Sequence, residues 1–155
     1  MVQISQTPST IYNNQIDELS KLAREHPNVD IMLSHLATPI SVAGEFVYLG
    51  KTKLERDNIF NAWRDSKSSL AEKLNVYLKL SGLAKSIYGF QWHKNQSSPS
   101  PTEVAKSFGP IINHAIDVFG DDRCLFGSNY PTDKLILSTL IEAYQMIFEN
   151  LADNQ

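Results

Sequence analysis

Two residues in this chain are placed to do chemistry by their type and by what precedes them. His35 follows the β-prone apolar run 29–34, and Asn129 follows the apolar run 123–127. An imidazole near neutral pH can take or give a proton or ligate a metal. A side-chain amide can orient water or hydrogen-bond a carbonyl, but it has no carboxylate with which to accept a proton. Pro131, without an N–H, and Gly127, a weak pairing residue, end the second run, so Asn129 sits where a strand becomes a loop. Lys79 alternates with Leu78 and Leu80 and so points away from their face. A lysine there can polarise a carbonyl or bind a carboxylate, and it can equally pair with an acid or carry its head out to water. Ser81 and Ser128 show no Ser-His-Asp arrangement and read as structural hydroxyls or, for Ser81, as a substrate contact alongside Tyr130. Trp92 and His93, in a long polar loop from 84 to 101, are expected to cover a substrate. His26 at a helix end and His114 on a helix read as structural.

The elements that must position these residues alternate. A brief strand is expected over residues 2–5, ended by Pro8 and the Asn13-Asn14 pair. A helix follows from about 14 to 25, with Ile16, Leu19, Leu22 and Ala23 on one face, and His26-Pro27 stops it. After the strand at 29–34, a second helix runs from about 55 to 73 with Ile59, Phe60, Trp63, Leu70 and Leu74 at near-helical period. Residues 75–81 form the clearest strand, broken by Gly82. Beyond the polar loop, a short helix from Thr102, a kink at Gly109-Pro110 and a longer helix are expected. The strand at 123–127 should be buried, and a last helix, from about 134 to 150, should bury Leu137, Leu140, Ile141, Tyr144 and Phe148, with Asp133 as its cap.

Strand and helix in alternation argue for an α/β fold of parallel strands with covering helices and right-handed crossovers. At 155 residues and 42% hydrophobic content the chain suits one domain over residues 1–155. A net charge of -3 with scattered lysines and arginines argues against nucleic acid as a partner. No apolar run approaches a membrane span, and no basic stretch leads an apolar one at the N-terminus, so a soluble cytoplasmic protein is expected. The single cysteine, Cys124, rules out an intramolecular disulfide within these residues and should be a buried, inert thiol.

Several motifs in order add what periodicity cannot. His26-Pro27-Asn28-Val29, Leu33-Ser34-His35-Leu36-Ala37-Thr38-Pro39, Trp63, the run from Asn75 through Lys79-Leu80-Ser81-Gly82, and Phe119-Gly120-Asp121-Asp122-Arg123-Cys124-Leu125-Phe126-Gly127-Ser128-Asn129-Tyr130-Pro131 resemble the amidohydrolase-related, metal-dependent TIM-barrel hydrolases, and within them the lactonase-like branch. The resemblance covers nearly the whole chain and matches the second half of such a barrel, its fifth to eighth strands. It implies that His35 serves a metal such as zinc or the substrate, and that Asn129 stands where relatives commonly carry an aspartate base or metal ligand. Such barrels open on a His-x-His motif, which this chain lacks. Zinc catalysis usually needs three protein ligands, so the resemblance implies weak or absent metal binding here.

Two functions follow as expectations. One is the C-terminal portion of a hydrolase acting on a lactone or related small carbonyl substrate by water activation, incomplete without a first half. The other is a noncatalytic half-barrel that closes as a homo-oligomer, since a four-stranded half leaves two edges unpaired.

Overall fold

The computed structural model describes residues 1–4, 14–45 and 50–152. Four parallel strands, β1 (Val2–Ile4), β2 (Ile31–Leu33), β3 (Val76–Leu80) and β4 (Cys124–Phe126), form one sheet in sequence order. Each is followed by a helix: α1 (Asn14–Glu25), α2 (Lys53–Ala71), α3 (Pro101–Phe119) and α4 (Leu137–Ala152). The expected (β/α) half-barrel architecture is the one observed. Ser5, Pro8 and Asn13, invoked for the end of the first strand, lie outside the described residues.

Register assigns the two faces of the sheet. Ile31, Leu33, Val76, Leu78 and Leu80 point to one side, are all 2% exposed or less, and pack under the helices. Gln3, Met32, Tyr77, Lys79 and Leu125 point to the other side, which a closed barrel would turn inward. The β-run at 76–80 therefore buries every second residue, as alternation requires.

Local signals start the helices where the chain supplies them. Thr52 accepts from the N–H of Glu55 at 3.1 Å and caps α2, which begins two residues before the expected start. Ser100 accepts from the N–H of Glu103 at 3.2 Å, with Pro101 in the first turn of α3.

Four expectations are corrected. α3 runs unbroken through Pro110, whose ring lies on the exposed side, while Val104, Phe108, Ile111 and Ile112 on either side are buried to 2% or less. An internal proline costs about 3 kcal/mol, and burying several large apolar side chains at about 1.5–3 kcal/mol each outweighs that. β4 is not buried: Leu125 is 39% and Phe126 51% exposed, because β4 is the edge of the sheet among the described residues. In α4 Leu140 and Tyr144 are buried as expected, together with Ala143, Ile147 and, just before the helix, Ile136, whereas Leu137, Ile141 and Phe148 are exposed. The packing partner of α4 is α3, so the face turned to α3 is covered and the face beyond the sheet edge is open. Leu74, expected in the stripe of α2, is 80% exposed past the helix end, whereas Lys67 occupies that stripe at 1% exposure.

Candidate active site

The chain leaves β2 through Ser34 and enters a turn in which His35, Leu36, Ala37 and Thr38 all have positive φ, from 47° to 59°. Left-handed backbone costs a residue with a Cβ about 1–2 kcal/mol. Four in succession persist only because the surroundings over-determine them. Leu36 and Ala37 are buried to 2% or less, the indole of Trp63 donates to the Leu36 carbonyl at 2.9 Å, and the hydroxyl of Tyr88 donates to the His35 carbonyl at 3.0 Å. This explains the tryptophan of the sequence motif: it clamps the turn that carries the histidine.

The turn aims His35 at the end of β3. Its Nδ1 lies 3.0 Å from Oγ of Ser81, a buried serine one residue past the strand. Gly82 makes this approach possible: with φ of +78°, a Cβ there would stand 2.8 Å from Nδ1 of His35. Gly127 does the same on β4. A Cβ there would meet Cε of Lys79 at 2.8 Å and Cβ of Ser81 at 3.2 Å, so the bare backbone lets the lysine stem lie across the strand end. Two glycines that read in sequence as strand breakers thus give the His35 ring and the Lys79 stem room at the strand ends.

Burial, with the ammonium groups of Lys85 and Lys79, holds the His35 imidazole down at about 4. It is neutral near pH 7, able to accept at one nitrogen and donate at the other. Lys85 is itself pulled down by burial and pushed back up by Asp133. Asp133 is fully buried; burial raises its carboxyl, while the Asn129 amide, the N–H of Ala84, Lys85 and the N–H of Leu83 favour its charged form. Nδ2 of Asn129 donates to Oδ1 of Asp133 at 3.0 Å.

His35, Lys79, Ser81 and Asn129 thus gather at the carboxyl ends of β2, β3 and β4, with Lys85 and Asp133 joining the two sides. Tyr130 stands at this end of the sheet but is 66% exposed. Trp92 is elsewhere: its ring is 4% exposed, stacks on Phe90, packs against Phe108 and donates to Glu103 of α3 at 3.0 Å. It is a core residue between the loop and α3, not a cover over the mouth, because its apolar area is worth more against Phe108 than in water. His93 beside it is exposed. His114 packs on Trp63 and bonds the Arg64 carbonyl, and His26 lends its carbonyl to Asn75. Asp133, expected as a helix cap, makes no side-chain capping bond. Lys85 escaped the sequence reading, and Asp133 was read only as a cap; the signal for its place here was its spacing, one helical turn after Asn129.

Comparison with known proteins agrees with this fold. The Amidohydrolase family model matches residues 2–151. The chain belongs to that family. Among curated relatives, an uncharacterized protein of Sinorhizobium fredii, y4mH, is 33% identical over 128 residues, 83% of this chain and 34% of that protein. An L-fucono-1,5-lactonase of Burkholderia ambifaria is 28% identical over 117 residues, 76% of this chain and 31% of the enzyme. A crystal structure of an amidohydrolase from Burkholderia multivorans with bound zinc superposes with a TM-score of 0.64 at 22% identity, over 99% of this chain and 45% of that one. This amidohydrolase chain therefore spans about a third of the length of these curated relatives and under half of that solved structure. Among the described residues, no helix is long and apolar enough to cross a membrane.

Proposed function

We propose that this chain supplies the carboxyl-terminal part of the mouth of an amidohydrolase-type barrel that hydrolyses a lactone or a related small carbonyl substrate with water. The observation that carries the reading is the convergence of a neutral imidazole, a lysine, a hydroxyl and an amide on one end of three parallel strands, where barrels carry their chemistry. The Lys79 ammonium polarises the substrate carbonyl as negative charge develops on its oxygen. His35, held through Nδ1 by Ser81, presents its other ring nitrogen to move a proton between water and the leaving oxygen. Asn129 orients the water or the ring oxygen by hydrogen bonding.

Zinc, named for the Burkholderia multivorans structure, does not fit the donors of this chain. No cluster of three histidine, cysteine or acidic side chains gathers among the described residues, and the imidazole that would ligate it already feels two lysine charges. The steps above therefore use only the chain's own groups.

The test is a panel of lactones and amides assayed on the chain alone and on the chain fused to a matching first half. Turnover by the fusion, lost in His35→Ala, and negligible turnover by the chain alone are expected. A folded fusion with no turnover on the whole panel would end the hydrolase reading, and robust turnover by the unmodified chain would end the view that a first half is needed.

A second reading, a noncatalytic module that closes by pairing with its own copy, is favoured by one feature. Phe126, Ile141 and Phe148 are 51%, 62% and 41% exposed along the β4 and α4 edge, an apolar surface that association would cover. Light scattering on the purified chain decides it: a stable, folded monomer at micromolar concentration would rule it out.

A further inference from the structure

Asp133 is a carboxylate with 0% exposure, enclosed between the turn after β3 and the loop after β4. Taking a carboxylate out of water costs several kcal/mol, as a rough figure, unless polar groups surround it. Two bonds tie it to Asn129. The Asn129 amide donates to its Oδ1 at 3.0 Å, and its own N–H donates to the Asn129 carbonyl at 3.2 Å. The other polar side chains around it are engaged elsewhere or act at longer range. The hydroxyls of Tyr88 and Tyr144 donate to the carbonyls of His35 and Leu80, and Lys85 contributes its charge. Oδ2 is enclosed and has no well-aligned hydrogen bond, while the N–H groups of Ala84 and Leu83 favour the charged carboxyl from nearby.

A carboxylate only accepts, whereas an amide has one donating and one accepting end. The bond therefore settles which end of Asn129 faces inward. Nδ2 turns to Asp133, and Oδ1, which has no partner among the described residues, is left on the other side. We propose that Asp133 is a positioning residue that locks the Asn129 amide with its carbonyl oxygen toward the mouth, so that the end of β4 presents an acceptor, suited to a water or a hydroxyl group of the bound molecule. This rests on the reading of the strand ends as a substrate mouth. It also shows how an asparagine is made to present an oxygen at that point, as an aspartate would.

The experiment is side-chain amide hydrogen exchange by NMR on the whole chain. Asn75, whose Nδ2 donates to the carbonyls of Ala23, His26 and Val29, is the protected reference, and exposed Asn95 the unprotected one. In the wild type, the Asn129 amide protons should exchange about tenfold or more slower than those of Asn95, as bonding to a charged acceptor implies. Asp133→Leu, which deletes the acceptor, should abolish most of that protection with Asn75 unchanged. The exchanged pair Asn129→Asp/Asp133→Asn should return protection to the amide now at position 133. Wild-type Asn129 exchanging as fast as Asn95 would overturn the proposal, and this arm needs no variant to fold. Protection that survives Asp133→Leu while Asn75 is unchanged would overturn it too. A barrel that hydrolyses nothing would end the hydrolase reading without altering these outcomes.

Discussion

The indole N–H of Trp63 reaches from α2 to the carbonyl of Leu36, 2.9 Å away, inside a turn of four consecutive residues with positive φ. A helix on the outside of the sheet thereby holds the backbone that aims a histidine at its rim. Trp63→Phe keeps most of the apolar ring and deletes the donor. Loss of a buried bond that leaves its acceptor unpaired costs about 1–3 kcal/mol, so urea denaturation should show a fall of that size. The His35 ring resonances should broaden or move while those of His26 stay in place.

Gly82 and Gly127 both sit under the site, and their replacements should differ. Gly82→Ala meets a left-handed φ and the His35 ring at 2.8 Å together, so a loss of about 2 kcal/mol or more in stability is expected. At Gly127 the backbone is ordinary and the obstacle is the flexible stem of Lys79. Gly127→Ala should cost under about 1 kcal/mol and mainly displace the lysine, which thermal melts of the two variants side by side will separate.

Lys67 lies fully buried in the inward stripe of α2, and burial pulls its amine down to about 7, against 10.5 in an unfolded chain. Between those values the unfolded state binds more protons, so stability rises with pH over that window and the full penalty stands below about pH 7. Lys67→Met keeps the stem and removes the charge. It should raise stability by about 1–3 kcal/mol at pH 6–7, with the gain shrinking as pH rises towards 10. Denaturation midpoints of the two proteins across pH 6–10 check this; a gain that is constant with pH would mean that the amine is not the cause.

His35 should titrate near pH 4 in the folded chain, below the usual 6.5. The folded state then favours the neutral ring, so its contribution to stability is complete above about pH 6.5 and is lost as pH falls towards 4. Lys85→Met removes the larger of its two repelling charges and should move the midpoint upward, with Lys79→Met acting in the same direction but less. An NMR titration of the imidazole protons measures both, and a Lys85→Met midpoint at or below the wild-type value would contradict the assigned cause.

The sequence by itself determined the alternation of strands and helices, the helix stripe at Ile16, Leu19 and Ala23, though not at Leu22, which is 38% exposed, and the strand at 76–80, since periodicities near 3.6 and 2 report directly which side chains must leave water. It also placed His35 and Asn129 at strand ends, because glycine, proline and polar residues stop a strand locally. Tertiary structure decided what no local rule contains. Whether β4 and the outer face of α4 are covered depends on neighbours beyond the sheet edge, so Phe126, Ile141 and Phe148 read as core and stand exposed. Trp92 went to Phe108, and Asp133 passed over the helix end it could have capped for the amide of Asn129. Burial and charge from Lys79 and Lys85, on other segments, set the state of His35. Electrostatics and packing act through space, and only the fold says which residues share it.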